Sequence, residues 1–148
     1  MLVDDYLGLR SALTQLINLE SDLEVCAVAG NIGQALSTIV NRPFDLAIVD
    51  ISLNGASGLE LTEVMKSRWP NIPVVIFSSH DELLYVRNAF RTGARGYIVK
   101  LMDSTEEILT AIRHVLDGGI YISRRITQKF SANDIGGFPT TLAEDSAQ

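Results

Sequence analysis

Short apolar runs alternate with amphipathic stretches along the first 120 residues or so of this chain. The apolar runs are Met1-Leu2-Val3, about 24–29, about 44–49, about 74–77 and 96–99. Each is nearly all apolar, as strands are when helices cover both faces of a parallel sheet. The stretches between them carry apolar residues on one helical stripe. Leu9, Leu13, Leu16 and Ile17 mark the first, and Ile32, Leu36, Ile39 and Val40 the second. Leu61, Val64, Met65 and Trp69 mark a helix over about 59–69, and Leu83, Val86 and Phe90 the next. Ile108, Ile112, Val115 and Leu116 mark the last. Alternation of this kind builds βαβ units. The expectation is a doubly wound α/β domain of five parallel strands and five helices over residues 1–120.

Punctuation agrees with this division. Gly30-Asn31 and Asn54-Gly55 are turn pairs, Pro43, Pro70 and Pro73 break helical patterns, and Gly93 and Gly118-Gly119 stop helices. Ser104-Thr105-Glu106-Glu107 has the form of a capping box, in which serine and glutamate satisfy end amides reciprocally. Residues 121–148 read as a linker or tail, with a short extended return at 120–123, a short helix at 124–130 and a mobile tail from Ser131.

What the strands end on carries the chemistry. Asp4 and Asp5, Asp50, Ser78 and Lys100 each close an apolar run, so the alternation places them on one edge of the sheet. Ligands of open α/β sheets bind outside the carboxyl ends of the strands. Carboxylates, a hydroxyl and an ammonium in that crevice suit a hard cation with a phosphoryl group. Magnesium takes oxygen ligands, typically one or two carboxylates with waters and phosphate oxygens. Asp5 and Asp50 supply those carboxylates, Asp4 holds a water, and the backbone carbonyl of Ser52 completes the protein ligands. Lys100 and Ser78 face phosphoryl oxygens. Asp50 is then either a metal ligand only or a nucleophile.

Composition narrows the classes. A hydrophobic fraction of 47% with 20% charged residues describes an ordinary globular protein. No apolar run approaches the roughly 20 residues that span a bilayer, and no signal peptide is recognisable. Cys26 is the single cysteine; read as a small buried hydrophobe, it fits a reducing cytoplasm. A net charge of −6 argues against direct nucleic-acid binding by this chain. His80 reads as a loop residue beside the site and His114 as a solvated helix residue. Trp69 reads as packing, and Arg124-Arg125 as solvated.

Taken together, Asp4-Asp5, Ala47-Ile48-Val49-Asp50 with Gly58 following, Phe77-Ser78-Ser79-His80-Asp81 and Gly93-Ala94-Arg95-Gly96-Tyr97-Ile98-Val99-Lys100 resemble the receiver domain of two-component response regulators. The resemblance implies a flavodoxin-like sheet of strand order 2-1-3-4-5. It implies Asp50 as phosphoacceptor, with magnesium held by Asp4, Asp5, Asp50 and Ser52. It further implies that Ser78, Ser79 and Lys100 bind the phosphoryl group, and that Ser78 and Tyr97 form the switch. A sensor histidine kinase is the implied phosphodonor and a second copy of the domain an implied partner. The wording of residues 93–100 and 118–123 is most similar to receivers that precede a LuxR-type helix-turn-helix domain. That domain lies outside this chain, so the implied output is transcriptional regulation through an absent module. Three features depart from the family pattern. Only Met1-Leu2-Val3 precede the acidic pair, Asn54 replaces a common proline, and Leu101 follows Lys100 where proline is frequent.

Two other classes compete. One is a stand-alone or phosphorylation-independent receiver acting as an interaction module. The other is a metal-dependent phosphohydrolase, which normally carries a second aspartate two residues past its nucleophile. Ser52 occupies that place, so turnover of an external substrate is not expected. Self-phosphorylation and weak self-dephosphorylation are.

Overall fold

The computed structural model of the chain describes residues 1–136. Its elements run β1 (Leu2–Val3), α1 (Leu7–Asn18), β2 (Val28–Ala29), α2 (Ile32–Asn41), β3 (Ala47–Val49), β4 (Ser52–Leu53), β5 (Ala56–Ser57) and α3 (Gly58–Arg68). β6 (Val74–Ser78), α4 (Leu83–Arg91), β7 (Gly96–Val99), α5 (Thr105–Leu116), β8 (Tyr121–Ile122), α6 (Arg124–Lys129) and α7 (Ala132–Ile135) follow. The main sheet has the order β2-β1-β3-β6-β7-β8 and every pair in it is parallel. Its first five strands reproduce the expected 2-1-3-4-5 order.

The strands alternate their side chains between two cores. Val3, Val49, Ile76 and Tyr97 join residues of α2, α3 and α4 in one buried cluster. Leu2, Ile48, Val75 and Ile98 join residues of α1 and α5 in the other. Within the helices the buried stripes sit about one residue away from their expected centres. In α2 they centre on Ala35 and Ile39, leaving Val40 66% exposed. In α5 Leu109, Ala111, Ile112 and Val115 are buried and Leu116 turns outward. Small alanines let the helices approach the sheet, and a pattern search for large apolar residues passes over them. The capping box of α5 forms as expected, with Ser104 Oγ accepting from the Glu107 amide at 3.1 Å.

Four expectations need correction. The sheet has six strands, not five: Gly118, at φ +93°, turns the chain back so that Tyr121 and Ile122 pair with Gly96 and Tyr97, covering what would be an open edge. The second strand is only Val28–Ala29, because β1 offers pairing partners at Leu2 and Val3 alone. The stretch from Ser131 does not begin as a mobile tail; a second capping box, Ser131 with Asp134, starts α7, and Ile135 is 2% exposed. The rest of that expected tail lies outside the described residues. His114 is not solvated, since its Nε2 is buried under Gly119 with no hydrogen-bond partner, beside the Tyr121 ring.

Candidate functional site

The carboxyl ends of β1, β3, β6 and β7 are neighbours in the sheet, and four of the five residues expected there, Asp4, Asp5, Asp50 and Lys100, bring their side chains together. Asp50 follows β3 and Asp4 follows β1, both buried. Asp4, Asp5 and Asp50 each present a carboxylate oxygen within 4.8 Å of the others. Lys100, just past β7, reaches across the crevice and donates to Asp50 Oδ2 at 2.8 Å and Asp4 Oδ2 at 2.9 Å. The Phe77 ring lies 5.5 Å from the same ammonium.

Loop backbone fixes the orientation of the acids. Asp4 Oδ1 accepts from the Tyr6 amide at 2.9 Å, and Asp50 Oδ1 from the Ser52 amide at 3.3 Å. Asp5 Oδ2 accepts from the Asn54 amide at 2.8 Å. Asn54 belongs to a hairpin: β4 and β5 pair antiparallel around Asn54 (φ +41°) and Gly55 (φ +83°), the signs a two-residue hairpin turn requires. A proline in place of Asn54 would lack the amide that Asp5 uses.

Charge in the crevice is unevenly met. Burial pushes the Asp50 carboxyl above its ordinary range, only partly offset by Lys100, with Asp4 adding repulsion. Burial opposes the charge on Lys100 too, yet the hydrogen bonds it donates to Asp50 and Asp4 raise its pKa above the usual lysine value. The two directions are compatible, because Lys100 has two carboxylate acceptors while Asp50 shares that ammonium with Asp4. Three oxygen-donor carboxylates so placed fit a hard divalent cation.

Ser78 ends β6 and is 1% exposed; its Oγ accepts from the His80 amide at 3.1 Å. The Tyr97 ring is fully buried, and its hydroxyl donates to the His80 carbonyl at 2.6 Å. Burial, ahead of any other cause, pushes the Tyr97 phenol upward. Ser79, beside them, is exposed. The backbone of His80 thus joins the two hydroxyl groups, and its ring stacks on Tyr85 of α4 at 4.0 Å. Sequence reading placed His80 near the site but not at this junction, because backbone bonds leave no mark on residue type.

Asp103 was also missed. Its Oδ2 accepts from the Val99 amide at 3.0 Å and its Oδ1 from Ser123 Oγ at 2.7 Å, closing the loop that carries Lys100. Burial raises its pKa. Inside that loop Leu101 takes φ +64° and is 89% exposed. All peptide bonds among the described residues are trans. A cavity of about 500 Å³ lined by Met1, Cys26, Phe44, Leu46, Ile112 and Leu116 opens at the amino ends of the strands, and Asp50 does not line it.

Residues 1–113 match the family described as response regulator receiver domain. The chain is 36% identical over 131 residues to the transcriptional regulatory protein UhpA of Salmonella typhimurium, covering 88% of this chain and 65% of that one. It is 29% identical to the transcriptional regulatory protein DegU of Brevibacillus brevis, covering 86% of this chain and 53% of the relative. The chain therefore spans about half to two thirds of the length of the curated relatives it matches. Among solved structures, a LuxR-family two-component response regulator from Aurantimonas superposes with a TM-score of 0.85 at 28% identity, over 92% of this chain and 96% of that one.

Proposed function

The chain belongs to the response regulator receiver domain family, and from that membership we propose that it is a phosphorylation-operated switch with Asp50 as the acceptor. The observation that carries the reading is the convergence of Asp4, Asp5, Asp50 and Lys100 at adjacent strand ends. One carboxylate oxygen of Asp50 attacks phosphorus of a phosphohistidine on a sensor kinase. A P–O bond forms, the P–N bond breaks, and the departing imidazole takes a proton. Asp4, Asp5, Asp50 and the Ser52 carbonyl would hold magnesium, which when bound offsets repulsion between carboxylates and the incoming phosphoryl group.

Lys100 then exchanges an Asp50 oxygen for a phosphoryl oxygen, keeping its charge in the crevice. The Ser78 hydroxyl donates to a second oxygen, with Ser79 beside it. Because His80 links Ser78 to Tyr97, movement of Ser78 is passed to the β6–α4 loop and to the aromatic. Hydrolysis by water at phosphorus, breaking the P–O bond to Asp50, resets the switch without turning over another substrate. The output is transcriptional regulation through a module outside this chain, a reading supported by relatives named as transcriptional regulators. A second copy of the domain is the partner expected on the α4 side.

Intact mass after incubation with magnesium and a small acyl phosphate tests the reading. A gain of one phosphoryl group that disappears in Asp50→Asn is expected. No gain, or an equal gain in the variant, overturns it.

A further inference from the structure

The segment after α5 is tied to both loops that border the site. On one side Asp81, three residues past Ser78, receives Lys129 Nζ at 3.1 Å and Arg125 Nε at 3.6 Å, both from α6. On the other side Asp103, three residues past Lys100, receives the Ser123 hydroxyl at 2.7 Å. That same hydroxyl accepts from the Arg125 amide at 3.3 Å and so caps α6. Arg125, expected to be merely solvated, therefore takes part in the tie.

Below these polar contacts the segment is anchored by packing. Ile126 of α6 is fully buried and Ile135 of α7 is 2% exposed, in the cluster that also holds Tyr97, Val86 and Ala89. α7 lies against α4. At the sheet edge the Ser123 amide donates to the Tyr97 carbonyl at 2.9 Å. The β6–α4 loop, the switch aromatic and the Lys100 loop thus all bear on one short element.

We propose that residues 120–136 form a phosphorylation-released latch, docked on α4 and β7 in the resting state and loosened when Ser78 moves toward Asp50. The inference rests on Asp50 being the acceptor. Ser78 Oγ and the His80 amide are bonded, so drawing Ser78 into the crevice drags residues 79–82 with it. Asp81 then leaves Lys129 and Arg125. With that tie gone, the segment keeps the Ser123 contact, Ile126 of α6 and Ile135 of α7, and it opens more often. The α4 face beneath α7 becomes available. Coupling between two such sites is reciprocal at equilibrium, so loosening the latch must favour the phosphorylated form.

The test uses the full chain with magnesium, reading intact mass and hydrogen exchange of peptides covering 120–136 in the same samples. Phosphorylation by a small acyl phosphate is expected to speed exchange there roughly two- to fivefold, the range an ion pair near the surface confers. Arg125→Gln with Lys129→Gln should show the faster exchange before any donor is added and gain little from it. The same double variant should bind beryllofluoride with magnesium more tightly by about that factor. Asp81→Asn, cutting the pairs from the loop side, should behave alike. A mass gain with exchange unchanged or slowed, or unaltered beryllofluoride affinity in the double variant, overturns the latch alone. Absence of any mass gain overturns the acceptor assignment and the latch with it.

Discussion

The Lys100 ammonium stands 2.8 Å from Asp50 Oδ2, yet the Asp50 carboxyl remains above the ordinary carboxylate range because burial outweighs that pairing. The crevice is thus short of positive charge before any cation or phosphoryl group arrives. Lys100→Met keeps the stem and removes the charge, leaving Asp50 and Asp4 facing one another. Removing one member of a fully buried pair costs about 3–5 kcal/mol; in this partly open crevice about 1–3 kcal/mol is expected. Thermal melts should show it as a fall of several degrees, and added magnesium should narrow the gap between variant and wild type.

Asp50 itself opposes folding when charged. Its folded-state pKa lies above the unfolded value of 3.8, so the folded chain binds the proton more tightly. Stability from this group is complete below the unfolded value and is lost as pH rises through the folded one. At neutral pH, without divalent cations, Asp50→Asn should be more stable than wild type, and the difference should close as the pH approaches about 4. Magnesium should stabilise wild type more than the variant. Urea melts across that pH range check both, and a variant less stable than wild type at neutral pH contradicts the account.

Gly58 follows the site hairpin and opens α3. A Cβ there would fall onto the Asp50 carbonyl oxygen and crowd Val49. The obstacle is backbone, which cannot swing aside, and the Gly58 carbonyl is itself held by the Thr62 hydroxyl at 2.9 Å. Gly58→Ala should cost about 1–3 kcal/mol by overpacking. It should also slow phosphorylation of Asp50 by displacing its backbone, seen as slower mass gain from the same donor.

Strand ends are readable in the sequence because each apolar run stops on a polar residue; Asp4, Asp5, Asp50 and Lys100 meet where that pattern puts them, and Ser78 ends the adjacent β6 with its carbonyl accepting from the Lys100 amide. The 2-1-3-4-5 order came with the family resemblance, and alternation alone gave only a parallel sheet. β8 is half visible: an extended return is legible at 120–123, but its pairing with Gly96 and Tyr97 is a long-range contact with no local signature. α7 escaped because Ser-Ala-Asn-Asp looks like a loop until Ile135 finds a buried place. Val40 and Leu116 were placed inward by spacing, while the alanines that set the helix orientation carry little hydrophobic weight.

The Tyr97 hydroxyl offers the last measurement. It donates to the His80 carbonyl at 2.6 Å from a fully buried ring. Tyr97→Phe keeps the ring and leaves that carbonyl short of a donor, a loss of about 1–3 kcal/mol. For a domain of this size that lowers Tm by roughly 2–4 °C per kcal/mol. The phenol has its pKa raised by burial, so the folded state keeps the proton when the unfolded chain gives it up. Stability from Tyr97 is therefore intact below its unfolded value of 10.0 and falls as pH climbs past it. Tyr97→Phe should start less stable at neutral pH but lose less on going to alkaline pH than wild type does. The ultraviolet phenolate titration of the folded variant should lack the latest-ionising tyrosine. Parallel alkaline losses in both proteins would show that Tyr97 is not the group responsible.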